Sequence, residues 1–187
     1  MFPLRPYCPN LLFCSSHFLP SRIDPITKQV QFDVLFGPAY KGIPLGAVVS
    51  SALYANYGIN VGYAYNRKEA KDHGEGGTLV GADMKDGKRI LVVDDVITAG
   101  TAIRESHTML ESIGAKMVGV VIALDRAEKR SLDDPVSAVQ AVQRDLKVNV
   151  ISIVNLPQLQ TFLEKSPDVY GEDTLQSVKA YRAEYGV

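Results

Sequence analysis

Short apolar runs alternate with longer amphipathic segments along the chain from Phe32 onward. The apolar runs predict strands at 32–36, 61–65, 90–93, 118–124 and 148–154. The amphipathic segments predict helices at 43–57, 102–113, 136–146, 156–163 and 174–185, with Gly58 and Gly114 ending the first two. The runs at 90–93 and 118–124 are apolar on both faces, as strands in the middle of a parallel sheet are. This alternation predicts an α/β fold with a mostly parallel central sheet flanked by helices.

Composition and charge narrow the classes of protein. The 187 residues are 46% hydrophobic and carry a formal net charge of −1, from 20 Lys plus Arg and 21 Asp plus Glu. We expect one soluble globular domain that lacks the basic surface needed for nucleic acid or anionic membranes. The longest apolar run, at 117–124, is far shorter than the ~20 residues of a membrane-spanning helix. Cys8 and Cys14 are too few for a disulfide framework or a multi-cysteine zinc site, which predicts a cytoplasmic protein and leaves a single bridge between them open.

The first 25 residues differ from the rest of the chain. They contain five of the ten prolines, both cysteines and none of the 15 glycines. Their apolar patches are interrupted by polar residues, unlike the continuous core of a secretory signal. We therefore predict an atypical N-terminal extension at 1–25 and one domain at 26–187.

The segment at 90–102, ILVVDDVITAGTA, places unusual polar residues where a buried strand meets a helix. Ligands of open α/β sheets bind beyond the carboxyl ends of the strands. A helix start offers free backbone N–H groups, and Gly100 lets an anion approach them closely, so the turn and its threonine hydroxyls suit a phosphate. Asp94 and Asp95 suit the hydroxyls of a sugar instead. We predict a ribose-phosphate site; the alternative is that the two aspartates and Thr98 only cap the helix.

Three further segments follow predicted strands. GPAYKG at 37–42 is a tight turn whose amides and Lys41 suit a second anionic group, or it is an ordinary turn with a solvated lysine. RKEAKDHGEGG at 67–77 is a cationic, glycine-ended segment that could close over a diphosphate as a mobile lid, or remain a solvated loop. Arg126 suits a carboxylate, the alternative being an ion pair with the adjacent Asp125.

ILVVDDVITAGTA resembles the phosphoribosyl pyrophosphate (PRPP) motif of the type I phosphoribosyltransferases. GPAYKG, RKEAKDHGEGG and the LDR at 124–126 narrow the resemblance to the orotate phosphoribosyltransferases, over residues 32–165. It implies the type I phosphoribosyltransferase fold and transfer of the phosphoribosyl group of PRPP to orotate. The products would be orotidine 5′-monophosphate and pyrophosphate, within UMP biosynthesis. A ring nitrogen of orotate would displace a pyrophosphate that carries Mg²⁺, so no residue is expected to bind the metal directly.

The resemblance also implies roles for individual residues. Binding of PRPP would use Lys41, Arg67, Asp94, Asp95, Val96, Ile97, Thr98, Ala99, Gly100, Thr101 and Ala102. Catalysis would use Lys68, Lys71, His73 and Asp95. Orotate would contact Thr98, Tyr40 and Arg126, the last through its carboxylate. The loop at 67–77 would reach the active site of the other subunit in a homodimer.

The chain departs from this resemblance at its N terminus. Members of the family carry an N-terminal hood over orotate, with a Lys-Ser-Gly-Arg-like stretch and an aromatic pair, and residues 1–31 contain neither. We expect an incomplete hood, from an atypical or truncated start. Two alternatives to the enzyme follow: a non-catalytic or impaired PRPP-binding relative with a regulatory role, and a phosphoribosyltransferase for another base. Retention of Lys68, Lys71, His73 and Arg126 favours the enzyme, because a regulatory protein needs none of them.

Overall fold

The computed structural model describes residues 31–71, 77–131, 134–166 and 170–187. Strands lie at Val34–Gly37 (β1), Gly62–Lys71 (β2), Gly77–Gly81 (β3), Arg89–Val96 (β4), Lys116–Asp125 (β5), Lys129–Ser131 (β6), Asp134–Ser137 (β7) and Val150–Asn155 (β8). Helices lie at Gly42–Tyr57 (α1), Thr101–Ser112 (α2), Ala138–Leu146 (α3), Leu156–Glu164 (α4) and Glu172–Tyr185 (α5). The predicted domain boundary after residue 25 and the expected incomplete hood lie outside the described residues.

The central sheet has six strands in the order β3-β2-β1-β4-β5-β8. All neighbours pair in parallel except β3, which runs antiparallel to β2 at one edge. Strands β6 and β7 form a separate antiparallel ribbon. The predicted α/β fold with a mostly parallel sheet is therefore confirmed. Because β1, β4 and β5 are parallel neighbours, their carboxyl ends meet at one edge of the sheet.

The cationic segment at 67–77 is not a loop along its whole length. Its residues 67–71 continue strand β2, which pairs with β3 from Ala64 opposite Gly81 to Lys71 opposite Gly77. The loop prediction was wrong for these residues because backbone pairing with an antiparallel partner keeps a polar strand extended without an apolar pattern. The short strands β3, β6 and β7 were not predicted for the same reason.

The sheet separates two apolar clusters. On one side Phe36, Val92 and Ile122 pack with residues of α2 and α3, and on the other Leu35 and Leu91 pack with residues of α1. Strand β4 supplies buried residues to both sides, as predicted for a central strand. Burial of this apolar surface is the main favourable contribution to folding. Within the described ranges, every helix is too short or too polar to cross a bilayer.

Strand β5 is not buried on both faces, contrary to the prediction for 118–124. Val118, Val121 and Ala123 are only half-buried. Helix α1 packs on β1, β2 and β4, whereas α2 and α3 pack against the opposite side of β5. An apolar run identifies a strand, but the neighbouring helices decide which of its faces are covered.

A hydrogen-bonded ion pair joins the starts of β1 and β4. Asp33 accepts hydrogen bonds from the backbone N–H of Arg89 at 2.7 Å and from its guanidinium at 2.9 and 3.2 Å. The backbone N–H of Asp33 in turn donates to the carbonyl oxygen of Arg89 at 2.8 Å. The hydrogen bonds from Arg89 lower the pKa of Asp33 from 3.8 to about 2.

Replacing Asp33 by Asn should lower the free energy of unfolding at neutral pH by less than about 1 kcal/mol, because the ion pair is partly exposed to solvent. Since the pKa of Asp33 is lower in the folded chain than in the unfolded chain, the carboxylate stabilises the fold above pH 3.8 and this contribution is lost as the pH falls towards 2. Urea unfolding of both proteins at several pH values should show their difference shrinking on acidification. A difference that stays constant with pH would contradict the assignment.

Candidate active site

The residues predicted from the segment at 90–102, apart from Asp95 and Ala99, meet at a cavity of about 280 Å³ beyond the carboxyl end of β4. Strand β4 runs to Val96, so Asp94 and Asp95 belong to the strand itself, and α2 begins at Thr101. The wall of the cavity consists of Lys68, Asp94, Val96, Ile97, Thr98, Gly100, Thr101, Ala102, Ile103 and Glu105. Most of the residues expected to bind PRPP through this motif therefore surround one space.

The start of α2 has backbone N–H groups that no described side chain caps. Gly100 precedes the helix with a φ of 77°, a left-handed conformation that glycine adopts without strain. Helices α3 and α4 differ, because Ser137 and Asn155 begin them with complete capping boxes. The alternative in which the two aspartates and Thr98 only cap the helix is therefore wrong. The free N–H groups and the positive end of the helix dipole can bind an anion.

Residues of the turn differ in how they face this cavity. The side chain of Ile97 is 5% exposed and packs in the core, so a ligand could meet only its backbone. Thr98, Ala99 and Thr101 are exposed. The buried side chain of Ile97 thus anchors the turn, and the small residues that follow it are exposed.

The two aspartates of the motif have different surroundings. Burial raises the pKa of Asp94, and its Oδ1 accepts a hydrogen bond from the backbone N–H of Asp95 at 2.9 Å. Partial burial also raises the pKa of Asp95, but the hydrogen bond from Lys41 and those from the backbone outweigh it, and the pKa lies below its ordinary value. Asp95 is therefore held as a carboxylate, and acidification protonates Asp94 first.

Lys41 reaches the site from the turn between β1 and α1. Its Nζ donates a hydrogen bond to Oδ2 of Asp95 at 2.7 Å, although the lysine side chain is 75% exposed. This hydrogen bond raises the pKa of Lys41 above its ordinary value. The alternative of a lysine that is merely solvated is therefore wrong. The adjacent Tyr40, expected at orotate, is 72% exposed.

Close packing fixes the shape of the turn at 37–42. A Cβ atom on Gly37 would lie 2.1 Å from the carbonyl oxygen of Gly42, so no larger residue fits there. The backbone N–H of Ala39 donates a hydrogen bond to Oδ1 of Asn66 in β2 at 2.8 Å, and the peptide bond that follows Ala39 is cis. The turn is tied to the neighbouring strand as well as to its own ends.

The cationic residues of β2 are only partly described. Lys68 lies in the wall of the cavity, 3.9 Å from a carboxylate oxygen of Glu105 in α2. Arg67 is half-buried, and the backbone of Lys71 ends the strand. His73 and the tip of the segment lie outside the described residues, so its predicted role as a lid stays a prediction.

Arg126 follows β5 at the same edge of the sheet. Its Nη2 lies 2.9 Å from Oε2 of Glu128, and a hydrogen bond from the Tyr181 hydroxyl occupies the other oxygen of that carboxylate. The Nε of Arg126 is buried and has no hydrogen-bond partner among the described residues. Asp125 instead accepts a hydrogen bond from the backbone N–H of Ala127 at 2.8 Å. The predicted alternative of an Asp125–Arg126 ion pair is therefore wrong. The Nε–H group of Arg126 is able to donate one more hydrogen bond.

Comparison with known proteins decides the family. The sequence profile of the phosphoribosyl transferase domain matches residues 23–154. Orotate phosphoribosyltransferase from Vibrio vulnificus (strain YJ016) is 53% identical over 158 residues, which cover 84% of this chain and 71% of that relative. The chain belongs to the orotate phosphoribosyltransferase family. The relative of that name from Escherichia coli O45:K1 is 50% identical over 162 residues, 87% of this chain and 73% of its own length.

A solved member of the orotate phosphoribosyltransferase family has the same fold. The crystal structure from Francisella tularensis superposes with a TM-score of 0.73 at 36% identity and covers 97% of this chain and 83% of its own. The type I phosphoribosyltransferase fold and the family implied by the four sequence motifs are thus confirmed.

Sequence analysis missed several residues that hold the turns and side chains of the candidate site in place. They are Asn66, Arg104, Glu128 and Tyr181. Glu128 and Tyr181 are 53 residues apart, and Arg104 contacts Asp145 across 41 residues, so no local pattern connects them. Asn66 and Arg104 do lie next to predicted motifs. Their position as polar residues beside a motif was the one signal from which they could have been found.

Gly100→Ala can be tested against Gly114→Ala, because both glycines have a φ of 77° but only a Cβ on Gly100 meets neighbours, Arg104 at 2.5 Å and Val142 at 2.6 Å. We expect Gly114→Ala to lower the free energy of unfolding by about 1–2 kcal/mol through backbone strain alone. Gly100→Ala should lower it further and weaken binding of ribose 5-phosphate by at least ~10-fold, since the turn must shift. Urea unfolding and calorimetric titration measure both effects. Equal losses of stability with unchanged ligand binding would contradict the role of Gly100.

Proposed function

We propose that the chain transfers the phosphoribosyl group of PRPP to orotate, forming orotidine 5′-monophosphate and pyrophosphate for UMP biosynthesis. Family membership supports this reaction, and one observation carries its assignment to a site. The uncapped start of α2 and Asp94 line the same cavity, and Asp95 is the next residue of β4. A phosphate cradle beside sugar-hydroxyl acceptors suits an activated ribose 5-phosphate.

The PRPP molecule would be held from three sides. The 5-phosphate would lie on the backbone and hydroxyls of residues 98–101, and the ribose hydroxyls would donate to Asp94 and Asp95. The diphosphate would lie near Lys41, Arg67 and the cavity-lining Lys68. The hydrogen bond from Lys41 to Asp95 and the cavity shared by Asp94 and the helix start support this order. Val96, Ile97 and Ala102 would contribute backbone or shape alone.

Orotate would bind between the turn of Tyr40 and the Arg126 segment, with Thr98 nearby. A guanidinium pairs with a carboxylate through two parallel N–H donors. Arg126 has a buried Nε without a partner, which fits an additional acceptor such as the orotate carboxylate. Ala127, next in the chain, has a φ of 50°, a strained left-handed conformation of the kind found at functional sites.

The reaction would need charge stabilisation but no covalent nucleophile. As the bond between C1 of the ribose and the diphosphate weakens, positive charge grows on the sugar ring and negative charge on the leaving group. Asp94 and Asp95 would offset the first, and Lys41, Lys68 and Lys71 the second, with His73 beside them. Asp95, whose pKa is lowered, is suited to remain charged throughout.

Mg²⁺ would be held mainly by the diphosphate of PRPP. The described residues contain no group of three or more His, Cys, Asp or Glu side chains placed to bind a metal ion. Mg²⁺ usually keeps several waters and binds substrate phosphates without a dedicated protein cage, which fits an ion carried by the diphosphate. When bound, the ion would supply positive charge to the departing diphosphate.

We also propose a homodimer in the cytoplasm, with the 67–77 segment serving the partner's site.

Incubation of the chain with PRPP, orotate and Mg²⁺ tests the proposed reaction. We expect orotidine 5′-monophosphate to form, and we expect the product to disappear in the matched variant Asp94→Asn/Asp95→Asn. Binding of PRPP without any product would instead favour the regulatory relative. Product formed from another base, but none from orotate, would favour a different phosphoribosyltransferase.

Replacing Arg126 by Ala should raise the KM for orotate at least ~10-fold and leave the KM for PRPP nearly unchanged, because a buried charge-assisted contact is worth about 1.5–3 kcal/mol. Steady-state kinetics with each substrate varied in turn measure the two constants. The control is Arg144→Ala, which removes a guanidinium of α3 that we expect at neither substrate. Equal effects on both substrates would reject the assignment of Arg126 to orotate.

Mixing two impaired variants, assayed at an orotate concentration far below the KM of Arg126→Ala, tests the loop and the dimer together. Lys71→Ala removes a cation of the segment, and Arg126→Ala removes the orotate contact. If the segment serves the partner's site, a mixed dimer has one site with both residues intact, and an equal mixture should regain about a quarter of the activity. A segment that served its own site would restore nothing, since each site would still lack one residue.

A further inference from the structure

Arg104, in the first turns of α2, lies directly behind the phosphate turn. One Nη donates a hydrogen bond to the carbonyl oxygen of Ala99 at 2.9 Å, and the other donates to Oδ2 of Asp145 in α3 at 2.8 Å. Its backbone N–H also bonds to the carbonyl oxygen of Gly100 at 3.0 Å. A single side chain thus connects the turn, its own helix and the neighbouring helix.

The absence of a side chain on Gly100 makes room for this guanidinium. A Cβ on Gly100 would lie 2.5 Å from Nη1 of Arg104 and 2.6 Å from a methyl group of Val142. The turn therefore packs flat against Arg104 on one side and borders the cavity on the other. Glycine serves two purposes here, a left-handed backbone and contact with the cation behind it.

Holding the Ala99 carbonyl also orients the next N–H group. A trans peptide unit is planar, and its C=O and N–H point in opposite directions. With the oxygen of Ala99 directed at Arg104, the N–H of Gly100 points away from Arg104, towards the side that borders the cavity. If the carbonyl turned round instead, its oxygen would face the bound phosphate and repel it.

We propose that Arg104 is a positioning residue for PRPP: through Ala99 it keeps the N–H groups of the turn directed at the 5-phosphate without touching the substrate. The inference rests on the proposed use of this cavity by PRPP. It predicts a selective loss of PRPP affinity when Arg104 is removed, with orotate binding and overall stability little affected.

A purely structural role predicts a different result. The side chains of Arg104 and Asp145 are 29% and 33% exposed, and ion pairs with such access to water contribute little to folding. Arg144 offers a matched comparison, because its Nε pairs with the other oxygen of Asp145 at 3.0 Å and, among the described residues, it makes no hydrogen bond or ion pair with the turn. If the ion pair with Asp145 were what matters, the loss of either arginine would act alike.

The experiment compares Arg104→Met, Arg144→Met and Arg104→Lys with the unsubstituted chain. Calorimetric titration with PRPP and with ribose 5-phosphate should show binding weakened at least ~10-fold in Arg104→Met, unchanged within about twofold in Arg144→Met, and partly restored in Arg104→Lys. In kinetics, the KM for PRPP should rise in Arg104→Met while the KM for orotate stays nearly constant. Thermal unfolding should place both Met variants within a few degrees of the unsubstituted chain.

Full PRPP affinity in Arg104→Met, or equal weakening in both Met variants, would overturn the proposal. If Arg104→Met fails to fold, Arg104→Lys replaces it, because lysine cannot bond Ala99 and Asp145 with a rigid fork, and undiminished affinity there would be equally decisive. An unsubstituted chain that binds PRPP but makes no product would refute the proposed reaction alone, since the titrations would still test Arg104. A chain that binds no PRPP would refute both.

Discussion

The site depends on one constraint: a helix begins, without a side-chain cap, at the end of a strand that is buried on both faces. Burial of the middle of β4 in two apolar clusters fixes the position of the half-buried residues that end the strand. The turn that follows has Ile97 as an apolar anchor and Gly100 in a left-handed conformation, and the start of α2 lies in the wall of the cavity. The proposed anion site is thus formed by backbone groups, and the core keeps that backbone in place.

Around this fixed element the structure arranges charges in opposing pairs. Asp95 faces Lys41, Lys68 faces Glu105, Arg126 faces Glu128, and Arg104 faces Asp145. Lys41, Lys68 and Arg126, which we propose to meet the phosphates or the carboxylate, are thus already near an acid. Such pairing keeps the charged side chains oriented where water would otherwise leave them free to move. A proposed ligand contact with any of these three cations would therefore exchange one partner for another.

The sequence supported prediction of the fold and of the residues at strand ends, because both depend on local signals. Apolar runs identified five strands of the central sheet, and the glycine and threonine residues after β4 indicated an anion site. Two kinds of feature could not be predicted from local sequence patterns. The extension of β2 through Lys71 depends on pairing with β3, and the burial of β5 depends on which helices cover it. Contacts such as Arg104 with Asp145 join residues that only folding brings together.

The ion pair between Lys41 and Asp95 has a consequence for selectivity. A small anion that approached Lys41 alone would compete with a carboxylate already hydrogen-bonded to it at 2.7 Å, and would leave Asp95 unpaired. A ligand that also carries hydroxyl groups can donate a hydrogen bond to Asp95 in place of the one that Lys41 gives up. We therefore expect the ion pair to favour an intact sugar diphosphate over free phosphate, because only the larger molecule satisfies both partners at once.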